Sequence, residues 1–388
     1  MATPNTHHYD VILAGAGAAG LSLAYRLHQA MPELSMLLID EVVKNQNDHT
    51  WCFWTQSSSF LDELAYRSWD RLAIRSDDYE AILDLHPYRY TMVRAIDFYR
   101  FIRNELAAAL NAATQIGKVE AIADGQDYAE VIVNDQVFRA DWVFDSRYRP
   151  EDYQPLTRHH RYLSQHFLGW EIETELPVFD PAVPTLFDFR TPQLGDMRFF
   201  YVLPYSERRG LVEYTIFSGQ LLPLEAYQTA LQTYIGSVLG VDRYRVLSEE
   251  HTLIPMTDHL FRRRAGQRVL NIGTRGGRVK PSSGFAFERI QRDSAAIVKS
   301  LTRHDHPFDI PRSPGRYRTF DAMLLQILER QGHLGKPVFL RLFRRNPVQR
   351  VFRFLDEDGG LAENLQLMAS VPPVPFIRAW LAVKLRTS

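Results

Sequence analysis

The sequence predicts an α/β fold in which a parallel sheet is interrupted by an antiparallel one, and three observations carry that prediction. The first 40 residues hold a strand, a glycine-rich turn, a helix and a second strand. Residues 160 to 250 shift to aromatic-rich strand patterns. Val269-Leu270-Asn271-Ile272-Gly273 then returns to a buried strand. With 388 residues, 45% hydrophobic and 12% aromatic, the chain can bury a large core as one or two tightly joined domains.

Taken in order, the apolar run ending at Ala14 reads as a buried strand, and the loop Gly15, Ala16, Gly17, Ala18, Ala19, Gly20 follows it. Gly15 permits the tight turn, Gly17 lets backbone approach a pyrophosphate, and Gly20 lets helix and strand pack closely. The helix starting near Ala18 carries Leu21, Ala24 and Leu27 at helical spacing and aims the positive end of its dipole at the phosphates. Asp40 follows Gly20 by twenty residues, at the end of a second apolar strand, where a carboxylate accepts from a ribose hydroxyl. Glycines alone leave open a merely tight turn. Strand, helix, strand and acid together predict dinucleotide binding in a Rossmann-type unit.

Further along, residues 93–110 predict a helix and residues 118–144 three short strands, the last running through Trp142-Val143-Phe144-Asp145. Residues 197–204 and 211–218 predict two strands joined as a hairpin by Ser206-Glu207-Arg208-Arg209-Gly210. A helix is expected from Gly284 onward. The parts divide as 1–60, 88–150 and 251–310 for the nucleotide cofactor, 61–87 and 151–250 for an inserted substrate sheet, and 311–388 for a helical tail.

Charge and cysteine content exclude several classes. A formal net charge of -1 leaves no basic field to hold nucleic acid, and the single cysteine, Cys52, supports neither a disulfide framework nor a Cys-rich metal site. The thirteen histidines include the pairs His7-His8 and His159-His160, yet no helix-spaced ligand set with an acid accompanies them, so no metal is expected. This composition fits a reducing cytoplasm, with neither a basic leader before an apolar core nor an apolar run long enough to cross a bilayer. Any membrane contact is then peripheral.

Residues 336–355 carry Lys336, Arg341, Arg344, Arg345, Arg350 and Arg353 with no acid before Asp356, while Phe339, Leu342 and Phe343 share a helical face. Asn346 reads as a cap and Pro347 as part of a first helical turn, followed by Val348, Val351, Phe352 and Leu355 at i, i+3, i+4 and i+7. Two readings stay open. One is a surface resting on anionic headgroups; the other is a helix pair packed on the body with solvated arginines.

The return strand places the chain among flavin folds. In flavin hydroxylases of the glutathione-reductase-like fold a strand ends in Gly-Asp-Ala-Ala-His, followed by three residues, Pro, and a Gly-containing helix start. Gly273 and Pro281 keep that spacing and Gly284 follows, but Thr274 stands in place of the acid and Gly277 in place of the histidine. The hydroxylases' mid-chain Asp-Gly is here Asp145-Ser146-Arg147. The fold matches and the oxygen-using signature does not.

The chain resembles the flavin-dependent lycopene cyclases, most closely the bacterial lycopene β-cyclases, over most of its length. The markers, in order, are the Gly15-to-Gly20 unit, His49-Thr50-Trp51, Asp145-Ser146-Arg147, Phe167-Leu168-Gly169-Trp170-Glu171 and Asp188-Phe189-Arg190. Val212-Glu213-Tyr214-Thr215, Ile254-Pro255-Met256, Pro281-Ser282-Ser283-Gly284 and Pro372-Pro373-Val374-Pro375 continue them. Glu213 matches the family's hydrophobic-Glu-acid-Thr motif, with Tyr214 replacing the usual second acid.

The resemblance implies a glutathione-reductase-like FAD-binding fold, FAD active in its reduced form and NAD(P)H as external reductant. It implies lycopene and related acyclic or monocyclic carotenoids as substrates. Their ψ ends would close to β rings, lycopene to γ-carotene to β-carotene, without net redox change, at the inner face of the membrane. It implies Glu213 as the acid, with Glu171 and Asp188 as secondary candidates that are structural or orienting rather than reactive. Arg94 and Val119 occupy places where related flavoproteins touch the cofactor, although a surface Arg and a core Val explain them nearly as well. Asp145 lines the cofactor or pairs with Arg147 to cap a strand, and Gly273, Pro281, Ser283 and Gly284 complete the flavin set. His49 and Trp51 pack beside flavin or polyene, or simply in the core.

The chemistry explains such a site. Lycopene has no polar handle, so ring closure needs a proton delivered to a terminal double bond and a carbocation held in an apolar pocket, where an isolated charge is very costly. Anionic reduced flavin, steadied by a helix N-terminus near Ser283, and the faces of Phe199, Phe200, Tyr201, Tyr205, Tyr214 and Phe217 are the expected stabilisers. Glu213 shares a strand face with Thr215 and Phe217, where burial would keep it protonated. Its alternative is an exposed carboxylate on an edge strand, paired with Arg208 or Arg209. Competing functions are a flavin monooxygenase or isoprenoid double-bond reductase, against the first of which Thr274 argues, and a carotenoid carrier.

Overall fold

A computed structural model describes residues 7–149 and 160–387. His159 and the expected start of the inserted sheet part at residue 151 lie outside the described residues.

Among the described residues the chain forms three sheets. At the centre of the first is His8–Ala14, parallel to Met36–Asp40 on one side and to Gln136–Asp145 on the other. Val11 to Ala14 are at most 1% exposed because both sheet faces are covered, which is why this strand reads as a continuous apolar run without alternation. Met36–Asp40 pairs outward with Ala112–Ile116. Gln136–Asp145 pairs in parallel with Val269–Asn271 and begins an antiparallel meander through Ala129–Val133 and Val119–Ala123. The helix Ala18–Ala30 leaves the glycine turn and packs against Phe287–His304.

The second sheet is ordered Tyr244–Thr257, Tyr162–Thr174, Arg209–Ser218, Met197–Pro204, Thr185–Asp188, Arg71–Ser76, Tyr79–Asp84. The hairpin expected from the Ser206 turn is at its heart, with Tyr201 opposite Glu213. Tyr244–Thr257 carries this sheet past residue 250, so one strand belongs to both sides of the division read from sequence. A third sheet of Thr50–Thr55, Arg89–Arg94 and Ala65–Trp69 lies between the other layers. Trp51 at its start stacks on Phe287 at 4.9 Å.

Three local expectations are corrected. The helix expected over residues 93–110 is Ala95–Ala107, because Val93 and Arg94 finish a strand paired with Trp51 and Thr50. The helix expected from Gly284 begins at Phe287; residues 281–286 form the turn before it. Asn346 does not start the Val348–Leu355 helix. Its side chain ends the preceding one, donating to the Leu342 carbonyl at 3.0 Å and to Ser370 Oγ at 2.8 Å, while Pro347 stands at the next helix start.

The second sheet has two differently covered faces. Helix Leu224–Ser237 covers one, burying Tyr227, Leu231, Tyr234 and Ile235 against Leu168, Phe200, Val212 and Tyr214. The other carries Phe199, Tyr201, Leu211 and Phe217 and joins a core with Phe339 and Phe343 of Gly335–Arg345 and with Phe352 of Val348–Leu355. Val338, Leu342, Val348, Val351 and Leu355 are buried there too. Residues 336–355 are thus a helix pair packed on the body, with Arg344 and Arg345 exposed, and their apolar stripe faces protein.

Exposed apolar surface is found later in the tail. Leu361 and Leu365 on Leu361–Ser370, and Val374, Ile377, Trp380 and Leu381 on Pro373–Thr387, are each 44% to 59% exposed. Among the described residues no helix is long and apolar enough to cross a membrane.

Phe352 is fully buried, with its ring stacked on Trp54 at 4.4 Å and an interplanar angle of 1°. Phe352→Ala is expected to destabilise the fold by about 3–5 kcal/mol, the cost of lost transfer energy plus a cavity. Equilibrium urea unfolding checks this, and a loss below 1 kcal/mol by the same scale would contradict the packing described.

Candidate active site

The site is built where the nucleotide turn, the return loop and the inner face of the second sheet meet. Gly15 adopts φ +104°, and a Cβ at Gly20 would lie 1.9 Å from the Gly15 carbonyl oxygen, so turn and helix touch without room for side chains. A Cβ at Gly17 would meet nothing within 4 Å, leaving backbone open to a ligand. Helix Ala18–Ala30 has no side-chain cap at its N-terminus, so its first amides and dipole face that opening. Asp40 braces the turn: its Oδ2 accepts from the Ala16 amide at 2.7 Å and its Oδ1 from the Val42 amide at 3.1 Å.

Asp145, 3% exposed, accepts from the Arg147 amide at 3.0 Å and from the guanidinium groups of Arg147 and Arg275. Arg147 also donates to the Val119 carbonyl at 2.7 Å. Asp145 is therefore the ion-paired strand cap, and Val119 is a buried residue whose carbonyl anchors that pair. Arg94 bonds Asp97 at 2.6 Å and lies 4.0 Å over the Tyr66 ring, which pairs in turn with Tyr205 of the second sheet. These side-chain contacts are thus with helix Ala95–Ala107 and the third sheet.

Gly273 comes back to the same turn, with φ +58° and a position where a Cβ would lie 2.8 Å from Ala19 Cβ. The loop from Pro281 to Gly284 then crosses to the second sheet. Ser282 Oγ donates to Asp321 at 2.6 Å, and buried Lys280 pairs with Asp321 and Glu357, pinning the loop from beneath. At Gly284, φ +73°, any Cβ would lie 2.1 Å from Gln165 Oε1. Ser283 Oγ and Gln165 Oε1 are buried without a hydrogen-bond partner. Orphaned polar atoms at this junction fit a heteroatom-rich ring reaching from the nucleotide turn, so the residues present suit a flavin dinucleotide.

Glu213 lies on a central strand between Tyr162–Thr174 and Met197–Pro204, not at an edge, and is 8% exposed. Arg209 pairs with Glu171, and Glu213 Oε1 accepts from Thr215 Oγ1 at 2.7 Å. Burial, reinforced by the charge of Glu250 and opposed by the Thr215 bond, pushes its carboxyl up to about 8. It therefore holds a proton at neutral pH. Phe199, Tyr201 and Phe217 share its face and core; burial also raises the Tyr201 phenol, so these rings stay neutral.

Strand alternation divides the expected aromatic cluster. Phe200 and Tyr214 face the opposite side, where Phe200 stacks on Tyr234 at 3.8 Å. Tyr205 stays on the Glu213 side. The other acids are committed elsewhere. Asp188 is held by Arg190 and accepts from the Tyr234 hydroxyl at 2.6 Å, bonds that keep its carboxyl below the usual range against the opposing effect of burial. Glu171 binds Arg209 and accepts from Ser248 Oγ at 3.0 Å.

Sequence reasoning passed over Glu250. It sits on Tyr244–Thr257 directly opposite Gly169, which is itself opposite Glu213, so the three form one row across neighbouring strands. Burial raises the Glu250 carboxyl as well. Residues 248–251 read as ordinary polar strand, and only the register brings Glu250 into the site. Among the described residues, no group of three or more His, Cys, Asp or Glu is placed to hold a metal ion.

A dinucleotide turn joined to an antiparallel sheet with a buried acid is the architecture of flavoproteins. The chain superposes with a TM-score of 0.65 on a flavoprotein/dehydrogenase from Cytophaga hutchinsonii, at 12% identity over 98% of this chain and 100% of that one. The family model described as lycopene cyclase protein matches residues 10–381, and the chain belongs to that family. It is 25% identical to the lycopene beta-cyclase of Pantoea ananas over 97% of this chain and 98% of that protein. To the lycopene beta-cyclase of Paracoccus sp. it is 26% identical, over 95% of each.

The raised carboxyl has a thermodynamic consequence. Glu213 ionises near 4.5 when unfolded and near 8 when folded, so between those values the folded state binds more protons and its stability falls as pH rises. Glu213→Gln removes this contribution. The variant is expected to gain on the parent in urea midpoint from pH 5 to pH 8.5; a difference that stays constant over that range would place the acid in a solvated setting.

Proposed function

We propose that this chain is a lycopene β-cyclase in which Glu213 donates the initiating proton. The carrying observation is a carboxylic acid, buried and protonated at neutral pH, on a sheet face otherwise lined by Phe199, Tyr201, Leu211 and Phe217. Such a surface suits a hydrocarbon. It offers one acid and several ring faces, and its burial excludes water that would trap a cation as an alcohol.

Proton transfer from Glu213 to the terminal double bond leaves a tertiary cation, the internal double bond attacks it to close a six-membered ring, and a ring proton is then lost to give the β end. One proton enters and one leaves, so mass and oxidation state are unchanged. The rings of Phe199, Tyr201 and Phe217 meet the cation with their faces, each contact worth on the order of 2 kcal/mol when desolvated. Bound FAD, reduced at the expense of NAD(P)H, would supply fixed negative charge against that cation. The glycine turn and helix Ala18–Ala30 would hold its phosphates, and Ser283 and Gln165 would offer their unpaired polar atoms to its ring system. Substrates are lycopene and the related acyclic or monocyclic carotenoids.

A water-insoluble substrate has to be drawn from a bilayer, and the exposed Leu361, Leu365, Val374, Ile377, Trp380 and Leu381 form the surface suited to lie in its interface. Arg378, exposed on the same helix, lies beside them for anionic headgroups. On this reading peripheral contact belongs to the last two helices, since the apolar stripe of residues 336–355 packs on protein.

In a bacterium that accumulates lycopene, the parent chain is expected to turn red pigment orange-yellow with product of unchanged mass. Glu213→Gln should keep the flavin spectrum and lower ring closure by at least about 100-fold, the lower range for a lost general acid. Near-parental activity in that variant would remove Glu213 from the mechanism. For the surface, the double variant Ile377→Asp/Leu381→Asp is expected to weaken binding to vesicles with anionic lipid by about tenfold or more in a sedimentation assay, consistent with roughly 0.8 kcal/mol per buried methylene. Unchanged binding would assign the contact elsewhere.

A further inference from the structure

The row Glu213, Gly169, Glu250 is the least ordinary feature of the inner sheet face. In-register partners on neighbouring strands point their side chains the same way, so both carboxyls stand on one face, about 10 Å apart at Cα, two strand spacings. The residue between them has no side chain. A Cβ at Gly169 would lie 3.1 Å from Leu211 Cδ1 and 3.4 Å from Glu213 Cγ, so a side chain there would crowd Leu211 and stand against Glu213. Tyr201 closes the row on the far side of Glu213.

Among the described residues Glu250 makes no ion pair within 4 Å. Its Oε1 accepts from the Thr50 amide at 3.2 Å, and Thr50 opens the third-sheet strand that carries Trp51 against Phe287, the first residue of the helix after the Ser283 loop. Glu250 is thus anchored to the wall of the cofactor site and Glu213 lies within the hydrocarbon face. The second acid of the family motif, had it been present at 214, would point away: Tyr214 faces helix Leu224–Ser237.

We propose that Glu250 is the second carboxylate of the reaction, receiving the proton that the closing ring gives up. This rests on the reading of the chain as a cyclase. The carbon that gains a proton and the carbon that loses one belong to the same six-membered ring, so donor and acceptor must flank a single ring, as two acids separated by a glycine do. In each turnover Glu213 changes from acid to carboxylate and Glu250 from carboxylate to acid. Transfer of that proton back to Glu213 restores the pair, with no electron moved. Two like charges in one apolar wall oppose each other, so the pair carries one proton between catalytic cycles, and Glu213, the deeper group, holds it.

Titratable groups approach the pair from the adjoining elements, Tyr205 and Tyr99 toward Glu250 among them. Tyr201 faces Glu213 from the neighbouring strand and Thr215 from its own, and Cys52 and Tyr90 approach from the third sheet. Asp48, His49 and Thr50 surround Glu250.

The test uses the full chain loaded with reduced flavin, with lycopene in vesicles, comparing the parent with Glu250→Gln, Glu250→Asp and Gly169→Ala. Glu250→Gln should lower β-ring formation at least 30-fold and move the alkaline limb of the rate to lower pH, because Glu213 keeps the effect of burial but loses the neighbouring charge that adds to it. Rings with the double bond displaced should replace β rings in the residual product, as the cation loses its proton elsewhere. Glu250→Asp should restore part of the rate and the β product. If Glu250→Gln does not fold, Gly169→Ala decides the matter, since a methyl between the acids should slow closure at least fivefold with flavin binding intact. A parent-like rate, pH profile and ring type in Glu250→Gln, or in Gly169→Ala where that variant decides, overturns the role of Glu250. A parent chain that leaves lycopene unchanged overturns the cyclase reading instead.

Discussion

An acid that must keep its proton at neutral pH has to be taken out of water, and Glu213 imposes that condition on everything around it. It cannot lie at an edge, cannot pair with an arginine and cannot share its face with hydrated groups. The fold meets these conditions by placing its strand in the middle of the second sheet, diverting Arg209 to Glu171, and lining the face with Phe199, Tyr201, Leu211 and Phe217. Asp188 shows the opposite solution in the same sheet. Although buried, it is held ionised by Arg190 and Tyr234.

The same sheet is joined to the glycine turn through close backbone approaches rather than through long side chains: Gly20 against Gly15 at the turn, Gly273 against Ala19, and Gly284 against Gln165. Buried Lys280, between Asp321 and Glu357, ties the last of these loops to the helical tail. The tail's inner helices complete the core beneath the second sheet, and its last two helices leave apolar residues exposed.

The helix pair at 336–355 shows how charge pattern and burial pattern can mislead when read apart. A run of arginines beside an apolar stripe suits a membrane surface and suits a helix packed on protein equally well. What separates them is whether another element needs that stripe. Here Phe339, Phe343 and Phe352 are taken up by Phe187 and Trp54, so the stripe is internal.

By itself the sequence determined the nucleotide turn, the strands on either side of it, the hairpin at residues 206–210 and the face on which Glu213 lies, because these depend on local sterics and on the two-residue period of a strand. It also carried the family resemblance, through motifs whose order is a property of the chain. Only the tertiary structure decided that Phe200 and Tyr214 leave the aromatic cluster, that Asp145 and Arg94 are taken by ion pairs, and that the exposed apolar residues of the tail lie after 360. Strand register and helix docking are contacts between distant segments, and no local pattern encodes which partner a segment meets. Glu250 is the plainest case: eighty-one residues beyond Gly169, it becomes its neighbour only when two strands pair.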